Sequence, residues 1–186
     1  MAVRPTMGYI IQFVRELLND TNPATYKFSD QQIQDRLDRA RLDLYRSPLK
    51  AADQMNATGS IEWHDFWARL GFVEEDFTVQ LSNGPFVVPD VSEPLIGKFH
   101  FTAKQTNPCL YINGKVYNVY GVGATLMDIW VADIRSQISS WTADGTTVQR
   151  AGQIKSMQSL ADRYRAMAWG FGNSTQIKLR RRDLKG

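Results

Sequence analysis

The chain has 186 residues, 43% of them hydrophobic, and a formal net charge of +3 at neutral pH. That size suits one domain, or one domain with an insertion, and that apolar fraction excludes wholesale disorder. A single cysteine, Cys109, excludes an internal disulfide. No run of about 18 apolar residues offers a membrane span, and the polar-interrupted start Met1-Ala2-Val3-Arg4-Pro5 lacks the apolar core of a signal peptide.

In chain order, Tyr9, Ile10, Phe13, Val14, Leu17 and Leu18 recur at helical spacing and predict a helix over 7–18. The turn formers Asn19-Asp20-Thr21-Asn22-Pro23 end it. Ser29 with Gln32 forms a capping box that opens a second helix. Ile33, Leu37, Ala40, Leu44 and Tyr45 make its apolar stripe, charges of alternating sign occupy its other faces, and Pro48 closes it.

From about residue 59 the texture changes. Ile61 to Ala68 is rich in aromatics, and Phe77 to Leu81 and Phe99 to Thr102 alternate as strands do. Asn83-Gly84 and Asn113-Gly114 are hairpin signals. Prolines 85, 89, 94 and 108 suit edges and loops. Residues 59–118 therefore read as a small antiparallel β region set between an N-terminal helical pair (1–58) and a C-terminal one (119–170).

A third helix is predicted over about 119–140, weakened at its start by Gly121 and Gly123, and a fourth over about 151–168, stopped by Gly170, Gly172 and Asn173. The predicted fold class is α+β, mainly α: a four-helix core with an inserted β region and an extended basic tail over 171–186. From Lys178 onward the chain carries +4, so the remainder is nearly neutral. A groove-binding nucleic-acid protein spreads its basic charge over a folded face instead.

Chemistry is hard to find. The two histidines, His64 and His100, fit no close-spaced ligand motif. Glu74-Glu75-Asp76 reads as a solvated acidic loop in preference to a cation site. There is no Walker phosphate loop and no GxSxG, and Gly121-Val122-Gly123 lacks the third glycine of a dinucleotide fingerprint. No catalytic residue, cofactor or metal ligand is assigned. Trp63, Phe66, Trp67, Phe86 and Tyr111 are too many large aromatics for a β region of this size to bury alone, and are expected partly at subunit interfaces.

Four segments resemble the head–tail connector (adaptor) proteins of long-tailed bacteriophages. They are Phe28 to Asp38 after an Asn-Asp-Thr loop, Leu110 to Tyr120, Asp144 to Arg150, and Leu160-Ala161-Asp162-Arg163-Tyr164-Arg165, in the family's order. The chain departs at Gly121-Val122-Gly123, where related chains tend to be alanine-rich.

The resemblance implies a virion protein made in the bacterial host cytoplasm. It forms a homo-oligomeric ring, dodecameric in that family, between the portal and a tail-side stopper or terminator, and double-stranded DNA passes through its channel. It also implies that the tail residues Lys178, Leu179, Arg180, Arg181, Arg182, Leu184 and Lys185 meet the portal. Two alternatives stay open: another neck or tail component such as a stopper or terminator, and a nucleic-acid-binding protein using its basic tail.

Overall fold

The computed structural model describes residues 3–82, 84–105, 109–138 and 146–168. Among these, four α-helices accompany eight strands: α1 (Gly8–Leu18), α2 (Asp30–Arg39), β1 (Arg41–Pro48), β2 (Lys50–Met55), β3 (Ile61–Trp67), β4 (Thr78–Leu81), β5 (Phe86–Val87), β6 (Val91–Glu93), β7 (Lys98–Gln105), β8 (Leu110–Tyr117), α3 (Val119–Ile138) and α4 (Thr146–Met167). The strands form two antiparallel sheets, ordered β1-β8-β4-β5 and β2-β3-β7-β6.

This overturns the expectation of a mainly helical, four-helix core with a small insertion. The chain is α+β with substantial sheet, and the sheet begins at Arg41, not near residue 59. The reason lies in Arg41-Leu42-Asp43-Leu44-Tyr45, where Leu44 fits a helical stripe with Ile33, Leu37, Ala40 and Tyr45 but also alternates with Leu42 as a strand does. Pairing with β8 decides between them, with Leu42 opposite Val116 and Leu44 opposite Gly114. α2 stops at Arg39, and the Ala40 carbonyl accepts from Asn118 N at 3.2 Å.

The second predicted hairpin is also corrected. Asn113-Gly114 lies inside β8, which runs unbroken from Leu110 to Tyr117. Glycine is needed there for close approach: a Cβ on Gly114 would stand 3.0 Å from Phe77 Cβ. Asn113 Oδ1 meanwhile accepts from Arg46 N at 2.8 Å, across a bulge that separates Leu44 from Ser47. The first hairpin pairs as predicted, with Gln80 opposite Phe86 and Val79 opposite Val87, although Asn83 itself lies outside the described residues.

Helix signals near the chain start hold well. The Ser29–Gln32 capping box is present in both directions, at 3.2 and 2.8 Å. α3 starts at Val119 in spite of its glycines. Asn118 Oδ1 accepts from Gly121 N at 3.1 Å, and a Cβ on Gly121 would come within 2.8 Å of that same side chain. α4 begins at Thr146, five residues before the predicted start.

Two apolar cores result. One joins the helices, with Ile10, Val14, Ile33, Leu37, Leu126, Ala161 and Tyr164. The other fills the space between the sheets, with Phe66, Val79, Phe99, Phe101, Leu110, Ile112 and Val116. Each large side chain fully buried in them contributes about 1.5–3 kcal/mol. Their boundary falls at Tyr117, the last residue of β8, which is buried among the helices.

Candidate functional site

The residues expected at subunit contacts do not form one patch. Trp63, Phe66 and Trp67 stand on β3 of one sheet, and Phe86 and Tyr111 on β5 and β8 of the other. Phe66 is fully buried and packs edge-on against Phe101 at 5.6 Å, so it is intrachain core and offers no surface. Its position on β3 faces the opposing sheet, which sequence alternation could not reveal without the strand pairing. Trp63 is half-buried, and its indole N–H donates to Asp53 Oδ1 at 2.8 Å. Tyr111 is half-buried beneath the Arg46 guanidinium, 5.4 Å from its ring centre. Trp67 is 37% exposed and lies near the Lys98 ammonium.

Phe86 differs from these, being 67% exposed on the edge strand β5. Val88 is 85% and Val91 55% exposed just beyond it. Here the chain crosses from the edge of one sheet to the edge of the other, β6. Between them lies an open groove of about 430 Å3 lined by Phe77, Phe86, Val88, Pro89 and Pro94, with Glu75 among its lining residues. The run Phe86-Val87-Val88 flanked by prolines signalled an edge strand. That two such edges enclose an apolar groove required the sheet order.

Titratable groups gather at two other places. His64 and His100 stack with ring centres 6.3 Å apart on β3 and β7. His64 Nδ1 bonds the Phe101 carbonyl at 2.9 Å, and this bond, with help from Glu62, raises the His64 pKa. His100 Nδ1 meets Asp65 Oδ1 at 2.9 Å. Burial works against the Asp65 carboxylate, but His100 and Lys98 outweigh it and lower its pKa. Among the described residues no group of three or more His, Cys, Asp or Glu side chains could hold a metal ion.

The second place corrects the reading of Glu74-Glu75-Asp76 as a solvated loop at Glu74 alone, since Glu75 and Asp76 are exposed. Glu74 is fully buried. It accepts from Thr6 Oγ1 at 2.6 Å, Arg4 Nε at 3.0 Å and the Tyr117 hydroxyl at 2.5 Å, with Lys115 Nζ at 3.4 Å. Arg4 also grips Asp38 through both terminal nitrogens, at 3.0 and 2.6 Å. Burial disfavours the Glu74 charge, but these donors and cations prevail and lower its pKa. Burial and the same carboxylate push the Tyr117 phenol upward. The network is saturated and has no open ligand position, so it clamps the N-terminal segment to the sheet.

The basic tail residues Lys178, Leu179, Arg180, Arg181, Arg182, Leu184 and Lys185 lie outside the described residues, as do residues 139–145. No helix of the described residues is long and apolar enough to cross a membrane. Set beside known proteins, the chain matches no family model, and no curated protein or solved structure is significantly similar to it.

Proposed function

We propose that this chain is a structural adaptor of a tailed-phage neck. Copies associate into a ring that joins the portal to the tail-side proteins and leaves a channel for DNA. The observation that carries this reading is the apolar edge formed by Phe86, Val88 and Val91. Three large apolar side chains more than half exposed, next to an apolar groove, are what a chain retains when another surface is meant to cover them. The segments that resemble the adaptor family add to this.

Charge supports the same reading. The body of the chain is nearly neutral and the positive charge is concentrated at the C-terminal end. A neutral channel wall lets DNA slide, because it forms few of the phosphate contacts that release counterions and hold the duplex. The basic end of the tail then suits an acidic surface on the portal, where Arg180, Arg181 and Arg182 can pair carboxylates with two parallel hydrogen bonds each.

The test is to mix the purified protein with portal rings and image the product by electron microscopy. Added ring density on one end of the portal is expected, and it should be lost on truncation after Asn173. Portal rings that stay bare with the intact chain overturn the proposal. Steeply salt-dependent binding to duplex DNA by a monomer would replace it with a nucleic-acid-binding role.

A further inference from the structure

We propose that the groove between β5 and β6 is filled by the C-terminal segment of a second copy, with Ile177 and Leu179 seated in it and the backbone added as a strand to β5. The inference rests on the reading above that copies of the chain associate, and it names the contact they make.

Three features select this occupant. First, β5 is hydrogen-bonded to β4 on one side and is the outermost strand of its sheet. Such an edge presents backbone donors and acceptors to an incoming extended segment. Second, the groove's apolar walls need apolar side chains, and Gln176-Ile177-Lys178-Leu179-Arg180 alternates apolar with polar. In an extended conformation Ile177 and Leu179 share one face, two residues and about 7 Å apart. Third, the charges are of opposite sign. Glu75 is exposed among the lining residues and makes no ion pair among the described residues, whereas the incoming segment carries Lys178 between its two apolar anchors.

Residues 169–176 separate the last described residue from Ile177, and eight residues can span up to about 26 Å. The seating uses Ile177 to Leu179 and leaves Arg180, Arg181, Arg182 and Lys185 beyond the groove, so the two halves of the tail serve different surfaces. The proximal half joins neighbours, and the distal half is left to the portal.

The test is site-directed cross-linking of the full chain. Two variants are made in a Cys109→Ser background, one carrying Val88→Cys and the other Leu179→Cys. Mixed and oxidised in the presence of portal rings, they can form the mixed disulfide only between copies. A mixed dimer is expected, and Phe86→Ser in the first partner should reduce its yield about tenfold by removing part of the apolar wall. Phe86 is surface-exposed, so its removal should leave the circular-dichroism spectrum unchanged.

Portal-bound rings that assemble without the mixed disulfide overturn the seating and leave the adaptor reading standing. A chain carrying both cysteines that bridges only to itself also overturns it, since the groove would then hold the chain's own tail. Absence of any association between copies overturns the seating and the ring together.

Discussion

The Tyr117 hydroxyl donates to the Glu74 carboxylate at 2.5 Å, and neither side chain is exposed to solvent. Tyr117 belongs to the helical core, while Glu74 directly follows Val73, which belongs to the sheet core. The pair therefore joins the two halves of the molecule, and Arg4 and Thr6 bring the N-terminal segment to the same carboxylate.

Glu74→Ala should cost about 3 kcal/mol, because it strands buried donors and the Arg4 and Lys115 charges. Urea denaturation measures this, with the midpoint falling and the slope unchanged. The pH dependence follows from the lowered pKa of Glu74. Its contribution is present above the unfolded carboxyl value of about 4.3 and disappears as pH falls through the lower folded value. Glu74→Gln should accordingly flatten the acid limb of a stability–pH profile. An acid limb identical to that of the parent chain would show that the carboxylate's charge is not what the network uses.

His64 titrates with the opposite sign. Its folded pKa is raised, so its stabilising effect is present below the unfolded value of about 6.5 and is lost as pH rises through the folded one. NMR titration should find its midpoint above the usual histidine range, and His64→Gln should remove the extra stability seen at mildly acidic pH. A midpoint at or below about 6.5 contradicts the bond to the Phe101 carbonyl as its main determinant.

Arg15 pins the loop between α1 and α2 from a site only 2% exposed. It bonds Asp20 Oδ2 at 3.1 Å, the Phe28 carbonyl at 2.9 Å and Asp30 Oδ1 at 2.5 Å, with its guanidinium over the Tyr26 ring. Arg15→Ala should cost about 3–5 kcal/mol, and proteolysis should then start within 19–28. Asp30→Asn should cost far less, since Asp30 is half exposed and the other two partners remain. Equal losses from both substitutions would mean that Asp30 carries the site.

Removing residues 60–116 behind a short linker should abolish folding and not merely trim an insertion. β1 would lose β8 and β2 would lose β3, leaving two unpaired strands attached to the helices. Circular dichroism and size-exclusion chromatography should show lost helical signal and aggregation. A soluble monomer with full helical content would show that the helices hold without the sheets.

Gly114→Ala tests the correction at the second hairpin signal. The added methyl meets Phe77 in a closely packed strand, at a cost of about 1–3 kcal/mol. In a solvent-exposed turn that tolerates alanine, the same change would shift the thermal midpoint far less.

Short-range chemistry was legible in the sequence. The capping box at Ser29, the helical stripe of 7–18, the strand alternation of Phe99 to Thr102 and the hairpin that joins Phe77 to Leu81 with Phe86-Val87 each depend on residues a few positions apart. A local signal survives folding when no distant partner competes for the same backbone. Where a distant partner does compete, the tertiary structure decides. Leu44 fits two periodicities until β8 pairs with β1, and Asn113-Gly114 has turn chemistry but serves as close packing beneath Phe77. Glu74 reads as solvated until Arg4, Thr6 and Tyr117, each more than 40 positions away, satisfy it. The exposed edge at Phe86 is likewise a product of sheet order, because which strand ends a sheet is a property of pairing across the whole chain.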